Sequence, residues 1–143
     1  MSIAAQILLG SIILGLCSLI HIIILVWSVS LIRILQPKLT RFSARIRLGL
    51  LISKAFFFVV MAHSIEVWVW AFSFDLSNAV PNIGEAVYFA LTTYTTLGYG
   101  DITLSEGFRV YAAMASVNGL LNFGLSTAFL VGLLARMLPD DIR

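Results

Sequence analysis

Three long apolar segments, separated by short polar stretches, dominate the chain. They extend from about Ile3 to Leu35, from about Ile46 to Phe74 and from about Phe108 to Leu138. Each is longer than the roughly 20 residues that an α-helix needs to cross a bilayer. The pattern therefore predicts an all-α membrane protein with three transmembrane helices.

A fourth, shorter apolar stretch lies between the second and third segments, from Ile83 to Thr96. It is too short to cross a membrane, which favours a re-entrant segment that enters and leaves on one side. Asn82 and Glu85 have the spacing of a helix capping box, and Pro81 limits where the helix starts. We expect a short helix from about Ile83 to Tyr94.

Composition supports lipid as the solvent. Of the 143 residues, 60% are hydrophobic and 11% are charged, and the mean hydropathy is +1.02. The net charge of +2 gives no reason to expect a nucleic-acid partner. Cys17 is the single cysteine, which excludes an intrachain disulfide. No nucleophile, base and orienting group converge in the sequence, so we expect neither an enzyme nor a cofactor.

The basic residues predict the orientation. Lys38, Arg41, Arg45 and Arg47 lie in or beside the linker between the first two segments, which the positive-inside rule assigns to the cytoplasm. The N-terminus is then outside, the loop from 75 to 107 is also outside, and the C-terminus is cytoplasmic. The linker either sets the topology alone or also binds anionic lipid head groups.

The residues after the short helix read Thr96-Leu97-Gly98-Tyr99-Gly100-Asp101. Carbonyls of successive residues line a pore in place of water only if φ is positive at alternate positions, which glycine adopts at low cost. Gly98 and Gly100 have that spacing. Thr96 adds a hydroxyl at the inner end, Tyr99 holds the diameter, and Asp101 concentrates cations at the outer mouth.

At these residues the chain resembles the potassium channel pore-loop superfamily, whose filter usually reads Thr-Val-Gly-Tyr-Gly. Leu97 departs mildly from that pattern, and Tyr99 matches the potassium-selective form. The resemblance covers roughly residues 46 to 138 and implies passive potassium conduction by a homotetramer, since one chain supplies one strand of the filter. The implied potassium ligands are the backbone carbonyls of Thr96, Leu97, Gly98 and Tyr99.

The resemblance extends to the helices around the filter. It implies that the pore helix ends with Thr92, Thr93, Tyr94 and Thr95. From Val117 to Ala128 the chain is similar to the inner helix of two-span bacterial channels, which implies a hinge at Gly119 and a cavity near Asn122, Phe123 and Thr127. From the residues alone, Asn118 and Asn122 either line the cavity or form hydrogen bonds between helices.

The whole chain looks still closer to small bacterial channel-like proteins with an extra N-terminal span and no regulatory domain. The pattern His63-x-x-Glu66-x-Trp68-x-Trp70 is part of that likeness, and a bacterial inner membrane is the implied location. We divide the chain into an extra helix (1–36), a basic linker (37–45), a pore domain (46–138) and a short tail (139–143). Both tryptophans also fit an aromatic belt near the outer end of the second span.

Alternatives remain for the ionisable groups and for the function. His63 and Glu66 share a helix face and form either a pH-sensitive gating pair or a buried pair that fixes helix packing. His21 is interpreted as a packing or interhelical hydrogen-bonding residue. The rival functions are a non-conducting or auxiliary pore-loop subunit and a weakly selective cation channel.

Overall fold

The structure is a computed structural model that describes residues 1–137. Its elements in chain order are α1 (Ile3–Leu35), a 3-10 turn (Gln36–Leu39), α2 (Ala44–Leu76), α3 (Ile83–Tyr94), a second 3-10 turn (Glu106–Phe108) and α4 (Arg109–Met137). The helices α1, α2 and α4 are each long and apolar enough to cross a membrane, which confirms the three predicted spans. The predicted tail, 139–143, lies outside the described residues.

The short helix α3 has the predicted bounds and the predicted cap. The Asn82 side chain accepts a hydrogen bond from the Glu85 amide at 3.0 Å and donates one to the Glu85 carboxylate at 3.2 Å. This reciprocal arrangement satisfies an amide at the start of the helix that would otherwise lack a partner. The cap therefore fixes where α3 begins.

The helix α3 lies between α2 and α4 and runs back along the second half of α2. Near the end of α2, Phe74 packs edge-on against Phe89 of α3 and Tyr111 of α4. The middle of α3, at Phe89, is thus level with Phe74, and its last residue, Tyr94, lies beside Glu66. The helix α3 therefore runs antiparallel to α2 and ends inside the bundle.

Trp70 does not belong to a lipid-facing belt. It is fully buried, and its indole N–H donates to Asn118 Oδ1 at 2.8 Å. A buried indole must find an acceptor, and Asn118 on α4 supplies one. Of the two tryptophans assigned to the belt, only Trp68 is exposed, with 47% of its surface accessible.

The helix α1 packs against both α2 and α4. At its first turn, the side-chain oxygen Oε1 of Gln6 accepts hydrogen bonds from the backbone amides of Val110 and Tyr111 at 3.0 and 3.3 Å. These amides lie in the first turn of α4, where no intrahelical acceptor exists. Gln6 therefore caps α4 from another helix and holds the N-termini of α1 and α4 together.

The inner part of α4 touches the end of α3 at Gly119. A Cβ atom built at this residue would overlap the backbone carbonyl oxygen of Tyr94. Backbone atoms cannot move aside as a flexible side chain does. Glycine at 119 therefore permits the close approach of α4 to α3, a packing role that is independent of the hinge expected there.

We predict that Gly119→Ala destabilises the folded protein by about 1–3 kcal/mol, because overpacking forces the backbones apart. Gly124→Ala is the control on the same helix, since a Cβ there meets nothing within 4 Å. Thermal unfolding in detergent measures both. Equal melting temperatures for the two variants would contradict the close approach.

Candidate functional site

The segment after α3 has an alternating backbone conformation. Thr96, Gly98 and Gly100 have φ values of 61°, 54° and 81°, whereas Leu97 and Tyr99 between them do not have positive φ. The positive φ predicted for the two glycines is present. Thr96 was not predicted to share it, because a β-branched residue rarely adopts positive φ and the cost is of the order of 1–3 kcal/mol.

The end of α3 anchors this segment. The Thr96 amide donates to the Thr93 carbonyl at 3.0 Å, and the Gly98 amide donates to the Thr92 carbonyl at 3.1 Å. The Thr93 carbonyl also accepts from the Ser116 hydroxyl of α4 at 2.8 Å. Carbonyls that the helix leaves without partners thus hold the inner half of the segment, and Ser116 links it to α4.

The outer half of the segment turns back along α3. The Tyr88 hydroxyl donates to the Asp101 carboxylate at 2.6 Å, although Tyr88 lies two turns before the end of α3. This hydrogen bond favours the ionised carboxylate and holds the pKa of Asp101 below its usual range. Asp101, at the end of the segment where the outer mouth was predicted, therefore keeps its charge to a lower pH than an ordinary aspartate.

Two large side chains of the segment are exposed in the single chain. Leu97 and Tyr99 are 55% and 69% exposed. Exposed faces of α4 carry further large apolar side chains, among them Val117, Leu120 and Leu121. In a membrane protein such surfaces face lipid or other protein.

Behind the segment, five polar side chains from all four helices form a connected cluster, which we call the Glu66 cluster. Its members are His21 of α1, His63 and Glu66 of α2, Tyr94 of α3 and Ser126 of α4. Glu66 is fully buried, and Oε1 lies 2.7 Å from His21 Nδ1. Its other oxygen, Oε2, accepts from the Tyr94 hydroxyl and, at 2.8 Å, from the Asn122 amide. A buried carboxylate is costly without hydrogen-bonding partners. The helices α1, α3 and α4 each supply one to Glu66.

The predicted pair of His63 and Glu66 is not a direct hydrogen bond. His63 Nδ1 lies 4.0 Å from Glu66 Oε2 and 2.8 Å from the Tyr94 hydroxyl instead. The imidazole in contact with Glu66 is His21, which sequence reasoning left without a named partner. The i, i+3 spacing showed that His63 and Glu66 share a face, but it carried no signal for a contact 45 residues away.

The expectation that Asn122 lines an ion-facing cavity is wrong. Asn122 is 2% exposed, donates to Glu66 and accepts from the Ser18 hydroxyl of α1 at 3.4 Å. It therefore faces α1 and α2, as the interhelical alternative predicted. Asn118 likewise faces Trp70. Of the remaining predicted cavity residues, Phe123 is 40% exposed and stacks on His63, and Thr127 is exposed and donates to the Phe123 carbonyl.

The Glu66 cluster places a hydroxyl, an imidazole and a carboxylate in the order of a nucleophile with its base. Ser126 Oγ lies 2.9 Å from His21 Nε2, and His21 Nδ1 lies 2.7 Å from Glu66. Such an order was not expected from the sequence. Ser126 is nevertheless buried, and its hydroxyl is also bonded to His63 Nε2 at 3.1 Å. The hydroxyl is thus enclosed by the cluster, and the arrangement fits a structural role.

Three residues of the cluster, His21, His63 and Glu66, are of types that bind metal ions in proteins. One ligand atom from each of His21, His63 and Glu66 lies within 4.8 Å of the others. Each nitrogen and oxygen of the set is already within hydrogen-bonding distance of a neighbour in the cluster. The donor set fits a hydrogen-bonded network more closely than an open coordination site.

Comparisons with known proteins address the fold around this site. A family model described as an ion channel matches residues 46–136. The chain is 33% identical over 76 residues to "Potassium channel AKT2/3" of Arabidopsis thaliana, which is 47% of this chain and 9% of that protein. It is 31% identical over 85 residues to "Potassium voltage-gated channel subfamily A member 6" of Mus musculus, which is 59% of this chain and 16% of that protein. The chain thus spans a small part of these relatives' length. No solved structure matches it.

We predict that Tyr88→Phe returns the pKa of Asp101 towards the ordinary aspartate range, because the hydroxyl that favours the carboxylate is lost. On acidification, Asp101 then loses its charge at a higher pH in the variant than in the parent. Carbon-13 NMR of the aspartate carboxyls measures the titration. The same midpoint in both proteins would show that the hydrogen bond does not set the ionisation.

Proposed function

Because the chain belongs to the ion channel family whose model matches residues 46–136, we propose that it is the subunit of a potassium-selective channel. Four copies surround one pore, and potassium crosses the membrane passively, down its electrochemical gradient. The observation that carries the proposal is the alternating positive φ at Thr96, Gly98 and Gly100. Membership in this family also makes the chain a membrane channel protein and not an enzyme.

Alternating φ supports the proposal through the direction of the carbonyls. In an extended strand successive peptide groups point to opposite sides, whereas alternation between left- and right-handed conformations brings successive carbonyls to one side. A row of carbonyls from Thr96 to Tyr99 then replaces the hydration shell of a potassium ion. The C-terminal end of α3 lies beside Thr96, and its partial negative charge favours a cation there.

The exposed groups of the single subunit support a tetramer. One chain supplies one row of carbonyls, and a cation in a filter needs oxygens on all sides. Leu97 and Tyr99 would pack against neighbouring subunits instead of remaining uncovered. The positive φ of Thr96 is costly and persists only where the surroundings hold it.

The start of α2 supports the proposed orientation. Arg45 and Arg47 lie in its first turn, and no acidic residue is present there. Cations at a helix N-terminus oppose the helix dipole, so they do not serve to stabilise the helix. Their placement fits the cytoplasmic side of a membrane, where they set the topology and meet anionic head groups. We propose the bacterial inner membrane as the location, with the N-terminus outside.

Both rival functions retain the fold but differ in ion flux. An auxiliary subunit conducts no ions by itself, and a weakly selective channel passes sodium as readily as potassium. Tyr99 and the two glycines favour selective conduction, since a scaffold alone needs no positive φ in this loop.

We predict that protein reconstituted in liposomes passes potassium and rubidium far better than sodium. Gly98→Ala and Gly100→Ala remove this selectivity, because positive φ costs an L-residue about 1–2 kcal/mol in each subunit. Gly49→Ala is the matched control, since this helical glycine has open space around it. Fluxes of the three ions measure the effect. Equal sodium and potassium flux in the parent would exclude selectivity, and no flux at all would favour the auxiliary subunit.

We also predict that the purified protein is a tetramer in detergent, because a single filter strand cannot enclose an ion. Native mass spectrometry gives the subunit number from a chain mass of 15.7 kDa. A conducting protein found only as a monomer or dimer would refute the four-strand filter.

A further inference from the structure

The five members of the Glu66 cluster close a ring. Starting at Glu66 Oε1, the ring passes to His21 Nδ1 at 2.7 Å and from His21 Nε2 to Ser126 Oγ at 2.9 Å. It continues from Ser126 Oγ to His63 Nε2 at 3.1 Å and from His63 Nδ1 to the Tyr94 hydroxyl at 2.8 Å. The Tyr94 hydroxyl closes it by donating to Glu66 Oε2. Each member makes two contacts within the ring.

The number of protons in the ring follows from these contacts. Five hydrogen bonds need five protons, one for each contact. Ser126 and Tyr94 each bring one, and each neutral imidazole brings one, because its second nitrogen is an acceptor. An ionised Glu66 brings none. With an ionised carboxylate and two neutral imidazoles the ring therefore holds four protons, and in one contact two acceptors face each other.

A fifth proton completes the ring and also removes its net charge. It makes either one imidazolium beside the carboxylate or two neutral imidazoles beside a carboxylic acid. Both arrangements hold the same number of protons and differ only in where each proton lies. A net charge inside a membrane is costly, and so is a buried acceptor without a donor. Both costs favour the same state, that with the fifth proton.

We propose that the Glu66 cluster is a closed hydrogen-bonded ring that retains one shared proton, and that His21 of α1 is through this ring a positioning residue for the filter. The inference that the ring affects conduction depends on the proposed channel function. Tyr94 is the last residue of α3 and lies two residues before Thr96, where the positive φ values begin. The ring therefore fixes the point from which the filter starts, and α1 is part of its support.

Other groups packed against the ring affect the energy of its charged states. Cys17 of α1 is a buried thiol within electrostatic range of Glu66 and Tyr94. In the part of the chain that the structure describes, the ion pairs of Glu66 are those with His21 and His63. Asn122 adds a neutral donor to Glu66. His63 is the most exposed member, with 14% of its side chain accessible in the single chain.

Glu66→Gln is the sharpest test, because an amide supplies the fifth proton permanently. The amide oxygen accepts from His21, and the amide N–H₂ donates to the Tyr94 oxygen, so five protons are present with both imidazoles neutral. The Asn122 side chain turns over so that its oxygen accepts from the second N–H of the new amide. This variant therefore keeps the ring closed but removes its titration. Glu66→Ala and His21→Ala open the ring.

The proton count has a readout that does not depend on conduction. His21 and His63 are the only histidines in the chain, so nitrogen-15 NMR of histidine-labelled protein in lipid reports on this ring alone. At about neutral pH we expect three protonated imidazole nitrogens, or two together with an infrared carboxylic acid band that Glu66→Gln removes. Two neutral imidazoles beside an ionised Glu66 would overturn the shared proton. So would stoichiometric binding of added Zn²⁺ or Cd²⁺ that shifts both imidazole signals of the protein as purified.

Potassium flux in liposomes tests the positioning role. The parent retains its flux at neutral pH and loses it at alkaline pH, when the shared proton leaves, whereas Glu66→Gln loses none over this range. Ser126→Ala and His21→Ala lower the flux at least about tenfold, since each leaves buried groups without partners. Ser64→Ala leaves it unchanged, because that hydroxyl bonds only to the Val60 carbonyl of its own helix.

The possible failures are distinct from one another. An equal alkaline response in the parent and Glu66→Gln would refute the role of the ring in conduction. Absence of flux in every protein, with the expected imidazole spectra, would instead refute the channel function and leave the ring in place. If the alanine variants do not fold, the parent and Glu66→Gln still decide both questions.

Discussion

A carboxylate that is fully buried in an apolar helix constrains the rest of this bundle. Glu66 has no access to water, so its hydrogen-bonding partners must come from the protein. They come from the three helices that surround α2: His21 from α1, Tyr94 from α3 and Asn122 from α4. Apolar packing has no strong directional preference, whereas these hydrogen bonds require one rotation and one depth for each helix. Glu66 thus constrains the position of α3 through the hydrogen bond from Tyr94.

The same constraint changes the interpretation of α1. An additional helix at the edge of a pore domain would be expected to touch it through apolar side chains alone. Here α1 supplies an acceptor for the first turn of α4 through Gln6, a hydrogen bond to Asn122 through Ser18, and the imidazole in contact with Glu66. Removal of α1 would leave polar groups of α2 and α4 without partners. The helices of the family-matched region, 46–136, therefore depend on α1 for part of their hydrogen bonding.

The sequence predicted the elements well and the polar contacts poorly. The bounds of α3 and the cap at Asn82 followed from local signals, because a capping box involves residues three apart. His21 and Asn122 had no such signal, since their partners lie on other helices and the helices can rotate. A helix period shows which residues share a face but not which face meets a neighbour. The positive φ of Thr96 was missed because a β-branched residue, unlike glycine, gives no indication of that conformation.

The strained segment from Thr96 to Asp101 is held at both ends by α3. Thr96 has a costly backbone conformation, and the hydrogen bonds of Thr96 and Gly98 to α3 fix only the inner half of the segment. At the outer end, the Tyr88 hydroxyl binds Asp101, so both ends depend on α3. Tyr99, between them, is exposed on the single subunit. One chain therefore fixes the ends of the proposed filter through α3, and the Glu66 cluster fixes α3. The middle of the filter needs the neighbouring subunits of the proposed tetramer, so the filter reaches its final geometry only when the subunits assemble.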